Sequence, residues 1–225
     1  MTTSRPSRGP AEVPVWVTRF NEAVDQVWLV LRVNLVWSLL SLLGLVVLGI
    51  APASVAAADA FRASRYGAKV RVSTVMWESW RHQLVSANLR LLPLMVVQTG
   101  SAAMLWIVLG GAVPSSAATI VLAGLAVISA AWSTVSAAVL VAVPRVRRQD
   151  LPVSWRLALL LPGTLPVHFI AVVLGLAAWI AVCSLVWPVG LLVGAATAIE
   201  GATVLLGRRI ELLLTDLEAR RGVAG

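Results

Sequence analysis

Two sets of ionisable residues stand inside long apolar runs, where charge is costly and so invites a functional reading. Glu200 lies eight residues before Arg208, and His168 lies twelve residues after Arg156. At ~1.5 Å of helix rise per residue these offsets are about 12 and 18 Å, so a hairpin of the two runs brings Glu200 and His168 within about 6 Å in depth. A carboxylate beside an imidazole can relay a proton or hold a cation. The plainer account is a buried polar pair, or two separate residues bonded to backbone freed by Pro166. Asp59 stands three residues before Arg62, a spacing that puts both on one helix face. Arg32 or Asn34 of the preceding run can join them. This group reads as a clamp closing a hairpin or, functionally, as a substrate-binding or gating charge.

The usual catalytic constellations are missing. No phosphate loop, GxSxG elbow or HExxH occurs. Two histidines and one cysteine, Cys183, do not make a metal site, and CxxC spacing is absent. The expectation is therefore a chain with no enzymatic activity, no cofactor and no metal.

The elements that position these residues follow from composition. The 225 residues are 59% hydrophobic and 12% charged, against about a quarter charged in a soluble domain. Mean hydropathy is +0.90. One aqueous core cannot hide so much apolar surface, so the bilayer must solvate several helices. The 18 basic residues fall in four groups, Arg5–Arg32, Arg62–Arg90, Arg145–Arg156 and Arg208–Arg221. Three basic-free spans separate them, each long enough for two crossings or nearly so. This is the positive-inside pattern of a multi-pass protein of the cell's inner or plasma membrane, and it argues against a nucleic-acid surface despite the net charge of +8. The span midpoints, Gly49–Pro52, Gly110–Ser116 and Cys183–Pro188, are the expected outer turns.

The fold expected is all-α: a polytopic bundle of about six transmembrane helices arranged as three hairpins, with both termini cytoplasmic. Residues 1–14 read as a disordered tail, 15–209 as one helix-bundle domain and 210–225 as a cytoplasmic tail. Val15–Arg32 and Arg71–Asn88 have helical apolar spacing with charges between, as interfacial amphipathic helices do. The spans are Val33–Ile50, Ala53–Tyr66, Leu89–Leu109, Ala117–Val143, Ser154–Leu185 and Val189–Leu206. The second is short: either it is of half length with a deep turn, or the bilayer is locally thin. Pro162, Gly163 and Pro166 should kink or break the fifth. Asn34, Ser38 and Ser41 form a stripe that should turn toward a neighbouring helix.

The N-terminal part carries Phe20-Asn21 and Asp25, then Asn34-Leu35-Val36-Trp37, then Gly49-Ile50-Ala51-Pro52-Ala53 and Ala56–Ala58, with the aromatic pair Trp77 and Trp80 ahead of the third span. Over roughly residues 20–110 it resembles the YesL-like family of bacterial integral membrane proteins, a domain of unknown function. Asp59 departs from that family's pattern. The resemblance implies a multi-pass membrane protein with no assigned activity, and an accessory role beside ATP-driven (ABC-type) carbohydrate transporters. The expected function is thus a non-enzymatic accessory or interaction subunit. Its partners would be the lipid bilayer and other membrane proteins, sugar-transporter subunits among them, or a second copy of itself. The alternative is a small secondary transporter or channel using Glu200, His168 and Asp59.

Overall fold

The computed structural model describes residues 15–66, 71–112 and 115–223; the expected N-terminal tail lies outside them. Every regular element among the described residues is helical. In chain order these are α1 (Val15–Leu43), α2 (Val47–Arg65), α3 (Val72–Leu109), α4 (Ser116–Ala142), α5 (Pro144–Arg147), α6 (Leu151–Thr164), α7 (Pro166–Leu185) and α8 (Trp187–Ala202). A π-helical turn, Thr203–Gly207, then leads into α9 (Arg208–Val223). Among the described residues, five stretches are long and apolar enough to cross a membrane: Trp16–Leu43, Val72–Leu109, Ser116–Ala142, Pro166–Leu185 and Trp187–Asp216. The chain is an all-α polytopic bundle.

α2 is not among those five, yet it is the centre of the molecule. Its sequence around Ala56-Ala57-Ala58 gives neighbours close approach from both sides. One face, with Ala53, Ala57 and Phe61, packs on Val33 and Leu40 of α1, Met76 and Trp80 of α3 and Ala196 of α8. The other face, with Ala51, Val55 and Ala58, packs on Leu91 of α3 and Val139 to Val143 at the end of α4.

The structure corrects several boundaries. The interfacial segment expected at Val15–Arg32 and the span after it are one 29-residue helix. No Gly or Pro lies between Val15 and Leu43, so nothing stops the helix from propagating. Likewise Arg71–Asn88 is not a separate interfacial helix, because α3 runs unbroken for 38 residues through Pro93. The first turn lies at Gly44–Val46, where Leu45 and Val46 take φ values of 56° and 64°, and not at Gly49–Pro52. That earlier turn makes α2 19 residues long, about 28 Å, so it is not a half-length helix. Pro52 sits within it. Its missing N–H leaves the Leu48 carbonyl without a helical donor, and Asn88 Nδ2 of α3 supplies one at 2.9 Å. At the other end of the chain the helix does not stop at Arg208 and Arg209; it continues through the π turn into α9. The break at Pro166 is as expected: α6 stops at Thr164 and α7 restarts on that proline.

The hairpins differ in reach. Asn88, near the middle of α3, lies beside the start of α2, so the remaining 21 residues to Leu109 extend about 30 Å past that point. There α3 runs beside α4, with Gln98 Nε2 donating to Thr134 Oγ1 at 3.1 Å.

Candidate functional site

Asp59 is the hub of a polar cluster at the arginine-rich end of the bundle. Arg62, one turn along α2, donates to Asp59 Oδ1 at 3.1 Å. Arg147 of α5 donates to the same oxygen at 2.8 Å. Ser79 Oγ and Gln83 Nε2, four residues apart on α3, donate to Oδ2 at 2.8 and 3.1 Å. Four donors from three elements thus converge on one carboxylate.

The position of Arg147 follows from the chain's own punctuation. Pro144 bars α4 from continuing and holds Val143 extended. The last carbonyls of α4 are left without helical donors. Arg147 Nη1 returns to Val141 O at 3.2 Å, and Arg62 Nη2 reaches Ala142 O at 2.8 Å. Each arginine therefore caps the negative end of α4 with one nitrogen and holds Asp59 with another.

Glu200 is held elsewhere. Arg65, one further turn along α2, pairs with Glu200 Oε1 at 3.1 Å and donates to Thr203 Oγ1 at 3.1 Å. Thr203 Oγ1 also lies 3.1 Å from Glu200 Oε2. The side chain of His168, half-buried on α7, makes no hydrogen bond or ion pair among the described residues, so the structure does not join it to Glu200.

Neither Arg32 nor Asn34 joins Asp59. Arg32 lies 4.9 Å over the ring of Trp28. Asn34 is buried against α8, donating to Leu191 O at 2.9 Å and accepting from Ala196 N at 3.1 Å. The polar stripe on α1 thus turns inward at Asn34, as expected. Asn34→Leu should lose about 1 kcal/mol of stability, since interhelical hydrogen bonds in membranes are worth roughly 0.6 to 2 kcal/mol. Equilibrium unfolding of purified protein in mixed detergent checks this, and no change would mean that the two bonds do not hold α1 to α8.

Residues 30–99 match the model of a family described as protein of unknown function, DUF624. That stretch is similar to the family over less than half the chain. It contains Asp59, Arg62, Ser79 and Gln83, but neither Arg147 nor Glu200. No curated protein and no solved structure matches the chain.

The sequence does not point to three members of the cluster, Arg147, Ser79 and Gln83, or to Arg65 beside Glu200. Arg147 reads as part of the Arg145–Arg148 run, a topology signal or a contact for anionic lipid or an acidic partner, although it follows a proline stop by three residues and the apolar run around Asp59 holds no second acid to balance its arginines. Ser79 and Gln83 have the four-residue spacing of a polar pair on one helix face. Arg65 extends the three-residue series of Asp59 and Arg62. Among the described residues, no group of three His, Cys, Asp or Glu could hold a metal ion.

Proposed function

We propose that this chain is a non-enzymatic accessory subunit of the cell membrane that binds another membrane protein, with its arginine-rich end on the cytoplasmic side. One observation carries the reading: the first part of α1 overhangs the bundle. Trp37 Nε1 donates to Ser54 Oγ across the α1–α2 hairpin. By that register Arg65 lies opposite about residue 26, and the helix before it projects about 16 Å farther. From Trp16 to Trp28 every residue except Val17 is exposed. Trp16, Phe20, Val24, Val27 and Trp28 share one face and are 49–71% exposed. An apolar stripe with aromatic anchors on a projecting helix is the form that docks into a groove of a partner.

The occupied state of the two acids supports this reading over transport. Asp59 and Glu200 are held by arginines and hydroxyls, an arrangement suited to bracing helices. The partner class belongs to the same proposal: membrane subunits of a carbohydrate importer, as the resemblance to YesL-like proteins implies. A photo-crosslinking residue at Phe20, used in native membranes, should trap one such subunit, and Trp16→Ala with Trp28→Ala should abolish the adduct. The same residue at Ile128, on the exposed side of α4, should trap lipid. Lipid adducts alone at both positions would sink the proposal.

A further inference from the structure

A cleft of about 520 Å³ opens at the arginine-rich end, lined by Asp59, Arg62, Arg90, Arg147 and Arg148 among others. Four guanidiniums there face one carboxylate. Asp59 is shared between Arg62 and Arg147, and both its oxygens are occupied. Arg90 reaches only neutral acceptors: Ser86 O at 3.1 Å, Gln149 O at 3.0 Å and Ser154 Oγ at 3.5 Å. Arg148 is exposed and its side chain makes no hydrogen bond or ion pair among the described residues. One carboxylate balances one of the four charges, so three positive charges in this concavity have no counter-charge in its lining. Low-dielectric walls focus such a field outward. Guanidinium forks match phosphate oxygens in geometry and charge.

We propose that this cleft binds a phosphate group, held between Arg90 and Arg148 over the fixed floor of Arg62, Arg147 and Asp59. A phosphate monoester carries close to two negative charges at neutral pH, which balances two of the three unmatched charges. A phosphodiester, as in an anionic lipid headgroup, balances one of them and spans the same forks. The site is separate from the α1 arm, so it stands or falls independently of the partner reading.

The experiment uses the full chain in maltoside detergent and has two arms. One titrates inorganic phosphate against chloride at matched ionic strength, read by calorimetry. The other counts phosphatidylglycerol against phosphatidylcholine retained from mixed micelles, read by native mass spectrometry. Saturable phosphate binding identifies a soluble ligand; selective retention of phosphatidylglycerol alone identifies a headgroup. In whichever arm responds, Arg148→Gln and Arg90→Gln should each weaken binding about ten-fold, the worth of one charged hydrogen bond. Arg81→Gln, an exposed arginine of α3 outside the cleft, should bind as wild type does. Arg90 also ties α3 to the α5–α6 linker, so if Arg90→Gln unfolds, Arg148→Gln decides alone. The proposal is overturned if neither ligand binds, or if Arg148→Gln binds as tightly as wild type.

Discussion

Asp59→Ala is expected to cost about 3 kcal/mol of stability, because it leaves two arginines in place without their shared counter-charge. The side chains are 20% exposed at Asp59, 23% at Arg62 and 9% at Arg147. Solvent screening is therefore weak, and the modest worth of surface ion pairs does not apply. The loss is more than electrostatic. With Asp59 gone, Ser79 and Gln83 lose their acceptor on α2, and α3 loses a tie to the helix it packs along. Arg147→Met should show a comparable loss, since it also uncovers the Val141 carbonyl. The pair Asp59→Ala with Arg147→Met should fall short of the sum of the single losses by at least about 1 kcal/mol, as residues sharing one network do. Reversible unfolding in mixed detergent, followed by circular dichroism, reads all of these variants. If Asp59→Ala unfolds together with wild type, the cluster is an ornament of the surface and not a clamp.

How much of this cluster the sequence reveals depends on range. Asp59 and Arg62 are legible because a three-residue spacing on a helix is local and periodic. Arg147 lies 88 positions from Asp59, and no local pattern joins them; only the path of α4 against α2 does. Glu200 shows the converse. Depth counted from the nearest arginines set it beside His168, but depth does not fix which face of a helix turns inward. Its partner is Arg65, on an element whose length was itself misjudged. Glycine and proline carry the same ambiguity. The Pro166 break was legible because the residue before a proline resists helix and two more breakers precede it. Pro52 was misread because its lost hydrogen bond is made good by Asn88, a residue of another helix. The composition, in contrast, left little freedom for anything other than an all-α membrane bundle.

Gly49 shows what a glycine in such a bundle can be for. It does not turn the chain; it lets two backbones touch. A Cβ at Gly49 would stand 2.7 Å from Ser41 Cα and closer still to the Ser41 carbonyl oxygen. A Cβ at Gly44 would likewise stand 2.6 Å from the Gly49 backbone nitrogen. The neighbours are main-chain atoms, which cannot rotate aside as a side chain would. Gly49→Ala must therefore force α1 and α2 apart at their turn, at a cost of about 1 to 3 kcal/mol for overpacking, and Gly49→Leu more. Separation at that point carries outward, because Trp37 and Ser54 farther along the hairpin hold their 3.1 Å bond only while the two helices stay close. The matched comparison is Gly175→Ala on α7, where a Cβ meets nothing within 4 Å. That change should be neutral or should stabilise by up to about 1 kcal/mol through helix propensity. The two variants have the same chemistry and opposite surroundings, so unfolding midpoints measured in one detergent isolate the contact. Equal midpoints would show that the close approach of α1 and α2 is not what holds the first hairpin shut.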